Sequence, residues 1–121
     1  MPEAGRELDA QVAEKVMGWT EVKFQPIANA MGQHVIDEWM GRGPNDPYRN
    51  ALVPKYSTQM QYAGEVLEKM RSQYQFVALI SGRGGQPWVC KVNRESGFFE
   101  EKAPTAPLAV CLAALRGVAP T

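Results

Sequence analysis

The chain has 121 residues, of which 45% are hydrophobic and 21% charged, the balance of an ordinary globular domain rather than of a disordered or fibrous protein. Thirteen basic residues balance thirteen acidic ones, so no global positive field attracts a DNA or RNA polymer. Two cysteines and one histidine cannot form a Cys/His zinc site, and no leader or membrane-spanning run is recognisable, so we expect one cytoplasmic domain over residues 1–121 without metal, cofactor or membrane partner.

The first predicted element is a short amphipathic helix over about residues 7–17. Leu8, Val12 and Val16 recur near helical spacing, with charged side chains between them. Gly18 follows the last turn, where a glycine commonly ends a helix. This segment is expected to bury one apolar stripe and then to turn sharply.

Residues 22–54 show no sustained hydrophobic period, because prolines and glycines interrupt the pattern repeatedly. The pattern predicts a loop-rich insert with short strands at best. Its most extended pieces are expected at 22–24 and 34–40, and the second of these also fits a single helical turn. His34 is expected at the surface, because its spacing to the neighbouring acids fits no metal motif.

A second helix is predicted to begin near Thr58 and to run to about Ser72. Thr58 and Gln61 have the three-residue spacing of a capping box. Ser57 is explained by the same helix start and has no histidine nearby in sequence to activate it as a nucleophile. The apolar stripe expected to face the core consists of Met60, Ala63, Leu67 and Met70.

Three strands are predicted after the second helix. Residues 74–81 are rich in side chains that suit a buried pleated surface and are expected to form a central strand. The glycine-rich turn at 82–85 reverses the chain into a strand over 88–93. After a further turn at 94–97, residues 98–102 are expected to form an edge strand whose charges discourage additional pairing.

The last predicted element is a helix that begins at Thr105 and is stopped by Gly117. Thr105 suits the cap, and Pro107 is tolerated in the first turn because its missing N–H is harmless there. The sequence therefore predicts an α+β fold in which a small antiparallel sheet of three or more strands packs with three helices. The core stripe of this helix is expected to comprise Leu108, Cys111, Leu112 and Leu115.

A row of alanines on the last helix leaves a smooth surface that another helix could approach closely. Such a face suggests self-association into a dimer or larger homo-oligomer. Alanine also has the best intrinsic helix propensity and needs no partner to explain it, so both interpretations stay open. The row consists of Ala106, Ala109 and Ala113.

Scattered cations and aromatics are the residues that most nearly suggest a binding site. Arg83 lies in the glycine-rich turn, whose backbone N–H groups can form an anion nest, although a plain hairpin turn explains the glycines more simply. Further cations lie on elements that can meet in space, where they would pair with a phosphate while Trp88 or Phe98 stacks on a base. The alternative is a set of solvated charges. These cations are Lys55, Lys91, Arg94 and Arg116.

The pattern contains none of the groupings that carry catalysis. No paired carboxylates, activated nucleophile or metal-ligand cluster is recognisable. Cys90 and Cys111 lie far apart in mixed apolar sequence and are expected to be buried thiols without a functional role. We therefore predict a protein that is not an enzyme.

Three stretches of the chain form a recognisable pattern: LDAQVAEKVMGW at 8–19, YST at 56–58 leading into EVLEKM at 65–70, and TAPLAVCLAAL at 105–115. Together they resemble the phage ABA-sandwich family of small bacteriophage and prophage proteins. The resemblance implies similarity to the first family of Thoeris anti-defence proteins, phage sponges that capture the cyclic ADP-ribose signal made by bacterial TIR-domain proteins. Such proteins sequester without cleaving, form homo-oligomers with pockets between subunits, and in some members bind cyclic oligonucleotides of the CBASS system.

The resemblance also implies where a ligand would bind. In the family, an aromatic and a polar side chain of the hairpin region and basic residues of the last helix supply the contacts, and Trp88, Asn93 and Arg116 are the matching positions. This chain departs from the family at Leu112, where relatives can carry a second arginine. The expected ligand-binding residues are Trp88, Asn93, Arg116, Lys91, Arg83 and Lys55.

The expectation is therefore a non-catalytic phage protein that binds cyclic ADP-ribose-type signals, and cyclic di- or trinucleotides if a second site exists, in the cytoplasm of the infected bacterium. One alternative is a nuclease or phosphodiesterase that destroys the same signal. The other is a structural or host-interaction module without a small ligand, since exposed cations and aromatics also serve protein interfaces.

Overall fold

The computed structural model describes residues 4–95 and 97–119. These residues form three helices and two three-stranded antiparallel sheets. The α+β class predicted from the sequence is confirmed. In chain order the elements are α1 Arg6–Lys15, β1 Thr20–Ala28, β2 His34–Gly43, β3 Asp46–Leu52, α2 Met60–Gln73, β4 Phe76–Ile80, β5 Trp88–Arg94, β6 Gly97–Ala103 and α3 Ala106–Val118.

The first helix forms where its apolar spacing predicts. Leu8 and Val12 are buried on one face of α1. Gly18 follows the helix with φ +79°, a conformation that glycine adopts without strain. The chain reverses there, and the N–H of Trp19 donates to the carbonyl of Ala13 at 2.9 Å. The predicted glycine stop is confirmed.

The expectation of a loop-rich segment over 22–54 is wrong, because this part of the chain forms the sheet β1–β2–β3. Pro26 lies on the edge strand β1, where a missing donor is tolerated. Gly41 and Gly43 lie in β2 where neighbours approach closely: a Cβ on Gly41 would lie 3.0 Å from Val22 Cγ2. The two stretches expected to be extended are strands, and the helical turn considered for the second does not form.

The second sheet has the order β4–β5–β6, so β5 is its central strand. The strand predicted over 74–81 forms as β4, but it lies at an edge rather than at the centre. β4 pairs with β5 alone, and its two end residues, Phe76 and Ile80, are 54% and 43% exposed as a result. The other two predicted strands are confirmed as β5 and β6. Of the turn expected at 94–97, Ser96 lies outside the described residues.

The second helix is confirmed as α2, and three residues of its predicted stripe, Ala63, Leu67 and Met70, face the core, but its predicted cap and the inward position of Met60 are wrong. Gln59 rather than Thr58 is the cap residue, and no side chain caps the helix. The reason is a preceding turn in which the N–H groups of Thr58 and Gln59 both point to the carbonyl of Lys55. Met60 is 42% exposed, and the buried face instead comprises Ala63, Val66 and Met70.

The third helix packs against β5 and β6 and also against α1 and α2, which makes it the centre of the core. Thr105 caps it, accepting a hydrogen bond from the N–H of Leu108 at 3.4 Å. Gly117 lies inside the helix instead of stopping it, against the Tyr74 side chain. None of the helices in the described part of the chain is both long and apolar enough to cross a bilayer.

The alanine row of α3 lies inside the chain's own core. Ala109 and Ala113 are fully buried, and Ala106 is 9% exposed. The proposal that this row is a surface for a second copy is therefore wrong. Small side chains are needed here because one helix packs against two helices and a sheet at once.

Candidate functional site

The two hairpin residues expected to contact a ligand are not neighbours. Trp88 lies at the start of β5, half-buried and paired with Ala103, whereas Asn93 is exposed near its end and paired with Phe98. Five residues of extended chain separate them by about 17 Å and place them on opposite faces of the sheet. Within one chain they cannot contact the same small group.

The other four predicted residues divide between three places. Arg83 is exposed in the turn before β5, at the Trp88 end of the strand. Lys55 is exposed before α2, where its charge acts on Glu38. Lys91 pairs with Glu100 across β5 and β6, and the Glu100 carbonyl accepts a hydrogen bond from Arg116 at 3.2 Å. Lys91 and Asn93 therefore lie on the face of the second sheet that points away from α3, whereas Arg116 lies on the α3 side, and only Asn93 is at the same end of the sheet as Arg116.

At this end two arginines hold the same aromatic ring, and we call Arg94, Phe99 and Arg116 the arginine corner. The guanidinium carbons of Arg94 and Arg116 lie 5.0 and 5.2 Å from the centroid of the Phe99 ring. Phe99 is 5% exposed, so the ring is a fixed base for both cations. Cation–π contacts of this length stabilise the arrangement.

Hydrogen bonds fix the direction of each guanidinium group. Nη1 of Arg94 donates to the Gly117 carbonyl at 2.9 Å, in the last turn of α3, where the helix dipole favours a cation. Nη1 of Arg116 donates to a carboxylate oxygen of Glu101 at 3.1 Å. Arg116 keeps 53% of its side chain exposed. Among the residues that the structure describes, the other N–H groups of both guanidinium groups have no hydrogen-bond acceptor, and those of Arg116 are the more exposed.

Strand alternation explains why Arg94 joins this group. Cys90 and Val92 are buried against α3, and Arg94 has the same parity on β5, so it also faces the helix layer. In the sequence, Arg94 is one of several scattered cations, and it was not among the expected ligand-binding residues. A cation on the helix-facing side of a strand was the available signal, but its partner on α3 became visible only in three dimensions.

Ser57 and His34, two further polar residues singled out in the sequence, form contacts within the chain. Within residues 4–95 and 97–119, no three His, Cys, Asp or Glu side chains gather to hold a metal ion. Ser57 is fully buried and bonds to Asp9, which replaces the helix-start role expected for it. His34 is exposed and pairs with Asp37 at 2.9 Å. Burial raises the pKa of the Cys90 thiol to about 11, well above the range of a reactive thiolate.

Comparison with known proteins identifies the family. The family model described as the phage ABA sandwich domain matches residues 10–115. A phage protein from Bacillus cereus ATCC 14579, known from a 2.0 Å crystal structure, is similar to this chain with a TM-score of 0.65 and 23% identity, covering 98% of this chain and 92% of that one. No curated protein sequence matches significantly. The chain belongs to the phage ABA sandwich family.

Proposed function

We propose that this protein is a phage anti-defence protein that binds a cyclic ADP-ribose-type immune signal in the host cytoplasm and holds it without cleavage. Membership in the phage ABA sandwich family places the chain among phage proteins. Its resemblance to Thoeris sponges supplies the ligand class. The arginine corner supplies a site of matching chemistry.

The observation that carries this proposal is the pair of guanidinium groups held over one buried ring. A pyrophosphate offers several anionic oxygens, and arginine pairs with such groups through two parallel N–H donors. Because Phe99 and two backbone carbonyls already fix both side chains, little side-chain entropy is lost when the anion binds. The corner is therefore preorganised for a pyrophosphate, which replaces the Glu101 carboxylate as the partner of Arg116.

Two exposed aromatic rings lie at the same end of the second sheet, on the face that points away from α3. Asn93 pairs with Phe76 on one side and Phe98 on the other, and both rings are more than half exposed. Stacking of a base on an exposed ring is worth about 1–3 kcal/mol. We propose that these rings take the aromatic role first expected of Trp88, and that a second copy of the chain completes the pocket in a homo-oligomer.

The proposal is tested by calorimetric titration of the cyclic ADP-ribose isomers, followed by heat release and analysis of the ligand. We expect saturable binding and full recovery of intact ligand. Loss of the ligand with time would instead establish an enzyme that degrades the signal. Absence of any heat and of any melting-temperature shift with all cyclic nucleotides tested would favour a structural or host-interaction module.

A further inference from the structure

A second concavity in the chain shares no residue with the arginine corner. This cleft of about 300 Å³ opens between the chain entering β1, the β2–β3 turn and the start of α2. We call it the Trp19 cleft, after the residue that forms its wall. Clefts of this volume accommodate a small organic ligand. Trp19, Asn45, Asp46, Arg49, Tyr56 and Glu65 are the lining residues that carry the argument.

The aromatic wall of the cleft is held from behind. A Cβ on Gly43 would lie 3.2 Å from the Trp19 ring, so the indole rests directly on the β2 backbone. Tyr56, only 2% exposed, lines the cleft together with Trp19. Burial raises the pKa of Tyr56 to about 12, so the phenol is neutral near pH 7. The cleft therefore has a rigid, uncharged face suited to stacking.

The polar rim combines donors and acceptors. Asp46 and Glu65 contribute carboxylate oxygens, which accept hydrogen bonds, while Arg49 and the amide of Asn45 can donate them. An anion would meet two carboxylates, and a simple cation would meet a guanidinium group. An uncharged ligand with a flat ring and both donors and acceptors matches this rim best.

We propose that the Trp19 cleft binds an uncharged nucleoside. The base would stack on Trp19, and the carboxylates of Asp46 and Glu65 would accept hydrogen bonds from ribose hydroxyls and an exocyclic amine. Arg49 would donate to a ring acceptor. Added phosphates would weaken binding, because they bring negative charge beside two carboxylates. This preference is opposite to that of the arginine corner.

Proton–nitrogen NMR of the indole groups tests the proposal, with adenosine, guanosine and cytidine as probes. The Trp19 resonance, assigned from Trp19→Phe, is expected to shift saturably with at least one nucleoside below about 1 mM. The corresponding diphosphate should bind at least threefold more weakly, by roughly the size of a screened charge repulsion. No saturable shift with any of the three, or tighter binding of the diphosphate, would overturn the assignment.

Substitutions on the rim separate this site from the arginine corner. Glu65→Gln should weaken nucleoside binding about tenfold, because a charge-assisted acceptor is lost. Glu68→Gln, on the same helix but outside the cleft, is the matched control and should leave it unchanged. Arg116→Gln should also leave it unchanged. Equal effects of Glu65→Gln and Glu68→Gln would contradict the proposal, whatever the outcome at the corner.

Discussion

A buried carboxylate ties the start of the chain to the segment before α2. Asp9 is fully buried and accepts hydrogen bonds from the Ser57 N–H at 2.7 Å, the Ser57 hydroxyl at 2.6 Å and Nη1 of Arg6 at 2.9 Å. Arg6 reaches onward to Glu38 and to the Val53 carbonyl. Burying a charge is costly unless it is paired and hydrogen-bonded, and these contacts meet that requirement.

Asp9→Asn should lower the free energy of unfolding by about 3 kcal/mol. The amide keeps the shape of the side chain, but it removes the charge that balances Arg6 and places an N–H₂ group among donors. Urea denaturation measures the loss, with Asp37→Asn at an exposed ion pair as the control. A change of less than about 1 kcal/mol would show that the network contributes little.

Glu38 gives stability a defined pH dependence. Burial raises the pKa of Glu38, but hydrogen bonds from Arg6 and the Trp39 N–H and the charges of Arg6 and Lys55 outweigh it, so the net pKa lies below the ordinary value of 4.5. A carboxyl group whose pKa is lower in the folded protein than in the unfolded chain stabilises the fold at pH values above the unfolded-state pKa. That contribution disappears as the pH falls through the folded-state pKa. Glu38→Gln should therefore lose less stability than wild type below about pH 4.5. Parallel curves in acid denaturation would contradict this.

The two thiols should be inert in the folded protein. Burial raises the pKa of both Cys90 and Cys111, and the charge of Asp9 raises that of Cys111 further. Iodoacetamide at neutral pH should therefore modify neither thiol until the protein unfolds. Changing both to alanine should cost roughly 1–2 kcal/mol and leave ligand binding intact. Rapid alkylation of the native protein, detected by mass spectrometry, would rule this out.

The size of the side chains on α3 is limited because this helix packs against four neighbouring elements, α1, α2, β5 and β6. Ala109, Val110, Cys111 and Ala113 are all fully buried, so the helix is enclosed on every side along this stretch. A helix with this burial belongs to the interior of the fold, and its small residues set the distance to α1, α2 and the second sheet. We therefore expect substitutions on this stretch to lower the stability of the fold rather than to change the oligomeric state.

Ala113→Leu should destabilise the fold by about 1–3 kcal/mol, because the added atoms have no space in a packed core. Light scattering should find the folded fraction in the same oligomeric state as wild type. Ala51→Leu, half-buried on β3, is a control for the added side chain. Dissociation of an oligomer without loss of stability would show instead that this face of α3 is an interface between copies of the chain.

Local signals predicted some elements of the fold and missed others. The spacing of Leu8 and Val12, the glycine turn before β5 and the Thr105 cap depend on near neighbours in sequence, and the structure confirms the elements they predicted. The first sheet was missed because Gly41 and Gly43 act as turn signals in sequence. Their actual role is to admit Val22 and Trp19 across the sheet, which only the fold determines.

In the whole molecule, α3 packs against the second sheet on one side and against α1 and α2 on others, while α1 contacts the first sheet. The arginine corner forms where the end of α3 meets the end of β5 and the first half of β6. Arg116 was predicted for the site, whereas Arg94 and Phe99 join it through contacts across the sheet and helix. Trp88 and Arg83 lie away from this corner, because they are at the opposite end of the β4–β5 hairpin. Lys55 lies on a different part of the chain, near Glu38.

The proposed function depends on the binding of the pyrophosphate of a cyclic ADP-ribose-type signal at the arginine corner. Calorimetric titration of Arg94→Gln and Arg116→Gln is the decisive measurement, with Arg71→Gln, an exposed arginine paired with Glu68, as the control for charge. We expect about 10–100-fold weaker binding in each corner variant, wild-type affinity in the control, and melting profiles that show all three folded. Wild-type affinity in both folded corner variants would contradict it.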